Sequence, residues 1–83
     1  MTRNQQEVRQ WLVEQVAENL HVSQQAVPTD APVVELGLSS VEAVSLTANL
    51  EEFLGIETDP AIVWEHPTID QMVDHLCTRS PAD

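Results

Sequence analysis

Two polar pairs with capping-box spacing punctuate this chain and limit what it can fold into: Ser39 with Glu42, and Thr68 with Gln71. In such a pair each side chain accepts a free backbone N–H of the same helix start, so the pair marks where a helix begins. Asn4 followed by Glu7 marks a further start. Behind each start the apolar residues recur at helical spacing. Val8, Trp11, Leu12, Val16 and Leu20 share one face of residues 4–20, which makes Trp11 a core anchor. Ala43, Leu46, Thr47, Leu50, Phe53 and Leu54 form a stripe along residues 40–54, and Gly55 supplies a left-handed cap at its end. Ile69, Met72, Val73 and Leu76 give the buried face of residues 69–78. A short helix is expected over residues 59–64, with Asp59 as cap, Pro60 at the first helical position and His66-Pro67 as its stop.

Residues 21–39 have no helical period, and Pro28 and Pro32 interrupt them. Val22, Val27, Val33, Val34, Leu36 and Leu38 are too apolar for a free linker, so an ordered loop laid across the helices is expected. Val33-Val34 has strand character, but no second strand is present to pair with it. The expected fold is all-α: a small four-helix bundle of three longer helices and one short one, with a long crossover loop between helices one and two. Its 83 residues read as one domain, with a core at about 4–78 and residues 79–83 as a flexible tail.

Nothing staples this domain. A lone cysteine, Cys77, forms no internal disulfide, and His21, His66 and His75 lack cysteine partners at zinc-like spacing. One cysteine, no signal peptide and no membrane span fit a reducing, cytoplasmic setting. Fourteen acids against three arginines and no lysine give a formal net charge of -11. No arginine or lysine lies between Arg9 and Arg79. Such a balance repels a phosphate backbone and argues against nucleic acid as a partner. It confers solubility, and it steers the chain toward basic protein surfaces.

Of the adjacent serines, only Ser39 is needed to cap the helix. Ser40 then falls at the first helical position with a free hydroxyl at the positive helix end, a favourable place for a phosphate group. Along the same helix Val41, Val44 and Ala48 lie off the apolar stripe among Glu42, Glu51 and Glu52, which suggests a protein-docking face. Placing Val44 at the edge of the core stripe satisfies the periodicity equally well. Catalytic machinery is not legible. Ser40, His66 and Asp70 form a triad only on paper, with no nucleophile elbow, and Gly37 stands alone rather than in a phosphate-binding glycine loop.

Leu36-Gly37-Leu38-Ser39-Ser40-Val41-Glu42-Ala43-Val44 resembles the attachment motif of acyl carrier proteins, usually written L-G-x-D-S-L. Glu51-Glu52-Phe53-Leu54-Gly55-Ile56 looks like the end of that family's second helix. Trp64-Glu65-His66-Pro67-Thr68-Ile69 looks like its entry to the last helix. The resemblance covers roughly residues 8–77, and within the family it leans toward polyketide-type carriers. It implies a carrier without catalytic residues of its own, whose Ser40 receives 4′-phosphopantetheine from coenzyme A through a separate phosphopantetheinyl transferase. Acyl groups of a polyketide or fatty-acid-like pathway would ride on the arm as thioesters. They would be loaded by an acyltransferase or acyl-AMP ligase and passed to a ketosynthase or other acyl-processing enzymes, with the carrier a monomer. Ser39 departs from the usual aspartate, keeping the cap and removing one negative charge beside the attachment point. The competing expectation is an acidic helical adaptor that docks basic partners with no prosthetic group.

Overall fold

The computed structural model describes residues 4–79. Four α-helices follow one another: α1 (Gln5–Leu20), α2 (Ser40–Leu54), α3 (Ile62–Glu65) and α4 (Ile69–Arg79). The three starts expected from capping-box spacing carry reciprocal caps. Asn4 Oδ1 accepts the Glu7 N–H at 2.8 Å, and Glu7 Oε1 accepts the Asn4 N–H at 3.3 Å. Thr68 Oγ1 accepts the Gln71 N–H at 3.0 Å, while Gln71 Oε1 accepts that of Thr68 at 3.2 Å. Residues 80–83, most of the expected tail, lie outside the described residues.

Val8, Leu12 and Val16 of α1, Leu46 and Leu50 of α2, and Ile69, Met72, Val73 and Leu76 of α4 meet in one core. The crossover loop enters that core as well, through Val27, Val33 and Leu38. This accounts for its order without a strand: apolar burial holds it from inside, and single backbone bonds hold it at its edge. The Val33 N–H donates to Pro67 O at 2.8 Å, and the Asp70 N–H donates to Thr29 O at 3.0 Å. Asp70 also receives Arg9 Nε at 3.0 Å and Thr29 Oγ1 at 3.1 Å, tying α1, the loop and α4 together. The ion pair is partly solvated, so it contributes less to stability than the buried valines do. Val33 and Val34 pair with no strand; the one bridge nearby joins Pro32 to Thr68.

Three local features differ from expectation. The first residue of the short helix is Ile62 rather than Pro60. Asp59 instead makes a turn, with Oδ1 accepting the Ala61 N–H at 2.9 Å and its carbonyl the Ile62 N–H at 2.9 Å. The polar side chain thus satisfies a turn donor and leaves only one helical turn beyond it. A 3₁₀ turn, Gln24–Ala26, breaks the long loop. Trp11 is half-buried rather than enclosed, and its ring stacks on Phe53 with centroids 4.8 Å apart.

Candidate functional site

The loop delivers the two serines through a constrained approach. Gly37 takes φ 118°, a conformation that disfavours any residue with a Cβ, and a Cβ there would meet Leu20 Cδ2 at 3.4 Å. Leu38 then buries its side chain and fixes where the chain turns. Ser39 follows in extended conformation as the N-cap of α2. Its Oγ accepts the Glu42 N–H at 3.1 Å, and Glu42 Oε1 accepts the Ser39 N–H at 2.9 Å. One serine and one glutamate are thereby committed to the helix start.

Ser40 stands next to them, exposed, as the first residue of α2. Among the described residues no acceptor or donor engages its hydroxyl. The N–H groups of Ser40 and Val41 belong to the first helical turn, which has no intrahelical acceptors. They face the positive end of the helix dipole, where an anion is favoured. Hydroxyl, free donors and field therefore fit a phosphodiester on Ser40, whereas the hydroxyl of Ser39 is already in use.

Val41 is 75% exposed and Val44 51%, and Ser45, Ala48 and Glu52 line the same side of α2. The edge-of-stripe placement of Val44 is thus not what the fold adopts. The acids of this helix are not equivalent. Glu42 serves the cap, Glu51 Oε2 accepts the Thr58 N–H at 2.8 Å, and Glu52 is exposed. Trp64 of α3 is 54% exposed, an apolar surface residue that sequence reasoning left inside a short helix. Its flanking Glu65 and His66 were the available signal.

A depression of about 570 Å³ lies between the end of α2, α3 and the middle of α4. Glu51, Glu57, Asp59 and Glu65 stand beside Ile62 in its walls, which makes it acidic. His66 and His75 stack with centroids 4.1 Å apart. No group of three His, Cys, Asp or Glu among the described residues is placed to hold a metal. Burial pushes the Cys77 thiol above its ordinary range; nearby Arg9 opposes this and Asp74 adds to it. The thiol therefore stays protonated at neutral pH and is a poor nucleophile.

The division of labour at residues 39 and 40 has a direct consequence for stability. Ser39→Ala removes the cap and is expected to cost about 0.5–2 kcal/mol, while Ser40→Ala leaves stability within about 0.5 kcal/mol. Urea midpoints of the two variants measure this; equal losses would contradict the assignment of the cap.

Comparison with known proteins places this geometry. The family model described as the phosphopantetheine attachment site matches residues 10–76. A phenolphthiocerol/phthiocerol polyketide synthase chain of Mycobacterium tuberculosis (strain ATCC 25618 / H37Rv) is 34% identical over 76 residues, which are 92% of this chain and 4% of that protein. The chain thus spans a small part of the length of such relatives. Among solved structures, the acyl carrier protein LipD from Actinoplanes friuliensis is 37% identical with a TM-score of 0.71, covering 92% of this chain and 90% of that one. An acyl carrier protein from Anabaena sp. PCC 7120 with a variant phosphopantetheinylation-site sequence is 27% identical, with a TM-score of 0.83 over 92% of this chain and 88% of that one. The chain belongs to the phosphopantetheine-attachment family, as a non-catalytic acyl carrier domain that bears a covalently attached 4′-phosphopantetheine arm.

Proposed function

We propose that Ser40 is the residue that carries the arm, and that the chain works as one carrier domain of a polyketide or related acyl pathway in the cytoplasm. The observation that carries this reading is the unengaged hydroxyl of Ser40 beside a Ser39 committed to the cap. The thiol at the end of the arm holds the acyl group as a thioester. The protein's own residues hold the attachment point at a rigid helix start and leave it open to solvent. Activation of the serine falls to a phosphopantetheinyl transferase. The Anabaena relative with a variant site sequence supports the view that departures around the serine are compatible with the carrier fold.

The exposed side of α2 is the surface offered to that transferase, to a loading acyltransferase or acyl-AMP ligase, and to a ketosynthase or other acyl-processing enzyme. Val41, Val44 and Ala48 supply apolar contact on the side of α2 that begins at Ser40, and Trp64 on α3 is a further exposed apolar residue. Glu52 supplies the freest carboxylate, because Glu42 and Glu51 also bond within the domain. With 14 acids against three arginines, the partner surfaces this carrier fits are basic; the carrier is read as a monomer. No helix among the described residues is long and apolar enough to cross a membrane.

Incubation with coenzyme A and a promiscuous phosphopantetheinyl transferase is expected to add one phosphopantetheinyl group. Intact mass should show it retained in Ser39→Ala and lost in Ser40→Ala. Loss in Ser39→Ala alone would overturn the assignment. In the same assay, Glu52→Lys is expected to slow association about two- to ten-fold at low salt, with the difference shrinking as ionic strength rises. Rates independent of both charge and salt would exclude electrostatic docking through this face.

A further inference from the structure

We propose that Ser39 is a positioning residue for the arm, its hydroxyl proton donating to a phosphodiester oxygen on Ser40. This deepens the reading that Ser40 carries the arm, and rests on it. The donors at the start of α2 point to this role. The Leu38 N–H donates to Val33 O at 3.4 Å, and the Ser39 N–H donates to Glu42 Oε1 at 2.9 Å. The Glu42 N–H donates to Ser39 Oγ at 3.1 Å, and the Ala43 N–H donates to Ser39 O at 2.8 Å. Between them, the N–H groups of Ser40 and Val41 have no acceptor among the described residues. A serine hydroxyl both accepts and donates. Ser39 Oγ accepts through the cap, while its proton has no acceptor among the described residues. Three neutral donors thus stand on three consecutive residues, with Ser40 in the middle.

Charge decides what residue 39 has to be. The chain has no lysine, and no arginine between Arg9 and Arg79, so no such cation flanks this helix start in the sequence. Arg9 itself is turned to Asp70 on α4. The donors and the helix dipole are what the chain offers here to an anion. Glu42 already places one carboxylate at this helix start, through its bond to the Ser39 N–H. An aspartate at position 39 would cap the helix as well as serine does. It would also set a second carboxylate against the phosphodiester, and an ionised carboxylate accepts hydrogen bonds without donating any. Serine caps as an acceptor and keeps a donor for the anion.

Loading and stability are coupled as a result. A hydrogen bond to an ionised acceptor is shorter and stronger than one between neutral groups. Ser39, Ser40 and Val41 therefore restrict the root of the arm, and filling their open donors stabilises the first turn of α2.

The test compares loaded and unloaded forms of the unmodified chain, Ser39→Thr, Ser39→Ala and Ser39→Asp. Intact mass establishes that each loaded sample carries one arm, and tandem mass spectrometry locates it. Loading is expected to raise the melting temperature of the unmodified chain by about 2–6 °C. Ser39→Thr keeps the hydroxyl and should keep the whole rise. Ser39→Ala should keep about half of it, from the backbone donors and the dipole alone. Ser39→Asp, still capped when unloaded, should show no rise or a fall. A residue that only caps the helix would shift both forms equally and leave the rise constant across the series. Relaxation of the ³¹P nucleus gives a second reading that does not depend on the lost cap in Ser39→Ala. Motion locked to the domain is expected in the unmodified chain and Ser39→Thr, and faster local motion in Ser39→Ala and Ser39→Asp. A constant rise with unchanged ³¹P relaxation, or a rise in Ser39→Asp equal to that of the unmodified chain, would overturn the proposal and leave the Ser40 assignment standing. An arm located on any residue other than Ser40 would overturn both.

Discussion

The reciprocal bond between Ser39 and Glu42 decides where α2 begins, and much else depends on that choice. It assigns the serine that is spent on the backbone and the serine that is left over. It also sets the rotational phase of α2. With Ser39 as N-cap, Leu46 and Leu50 face the core while Val41 and Val44 face solvent. A start shifted by one residue would move each side chain about 100° around the helix and break both the core and the exposed side. A serine cap performs this task without the charge that aspartate would bring beside Ser40.

The position of that cap in space comes from the crossover loop. Val33, fully buried, and Leu38, nearly so, anchor the loop, and Gly37 lets it turn past Leu20. Arg9, Thr29 and Asp70 close the loop against α1 and α4 from the opposite side. Ser40, the proposed attachment residue, is thus an exposed group on a well-held frame. This arrangement suits a carrier domain that supplies no catalysis of its own. Surface acids then divide into those that build the domain, such as Glu42 and Glu51, and those such as Glu52 that face outward.

Much of this was legible in the sequence because the signals are local. Asn4, Ser39 and Thr68 each precede their pairing residue by three positions, and Gly55 follows the α2 stripe directly with φ 73°. The exposure of Val41 and Val44 follows from their angle to Leu46 and Leu50. What escaped depends on tertiary contact. Asp59 has the look of a helix cap, yet the chain spends its carboxylate on a turn and starts α3 later. The 3₁₀ turn at Gln24–Ala26 has no periodicity to reveal it. Glu51 reads as a surface acid until Thr58 is brought to it from seven residues away. Trp11 and Phe53 lie 42 positions apart, and their spacing in sequence carries no trace of the stack.

The most direct test of the central assignment uses the unmodified sequence. The loaded chain is digested, and the peptide spanning Ser39 and Ser40 is fragmented by tandem mass spectrometry so that cleavage between the two serines locates the arm. The added mass is predicted on the fragment that begins at Ser40 and not on the one that ends at Ser39. Added mass on Ser39 would contradict the division of labour between cap and carrier.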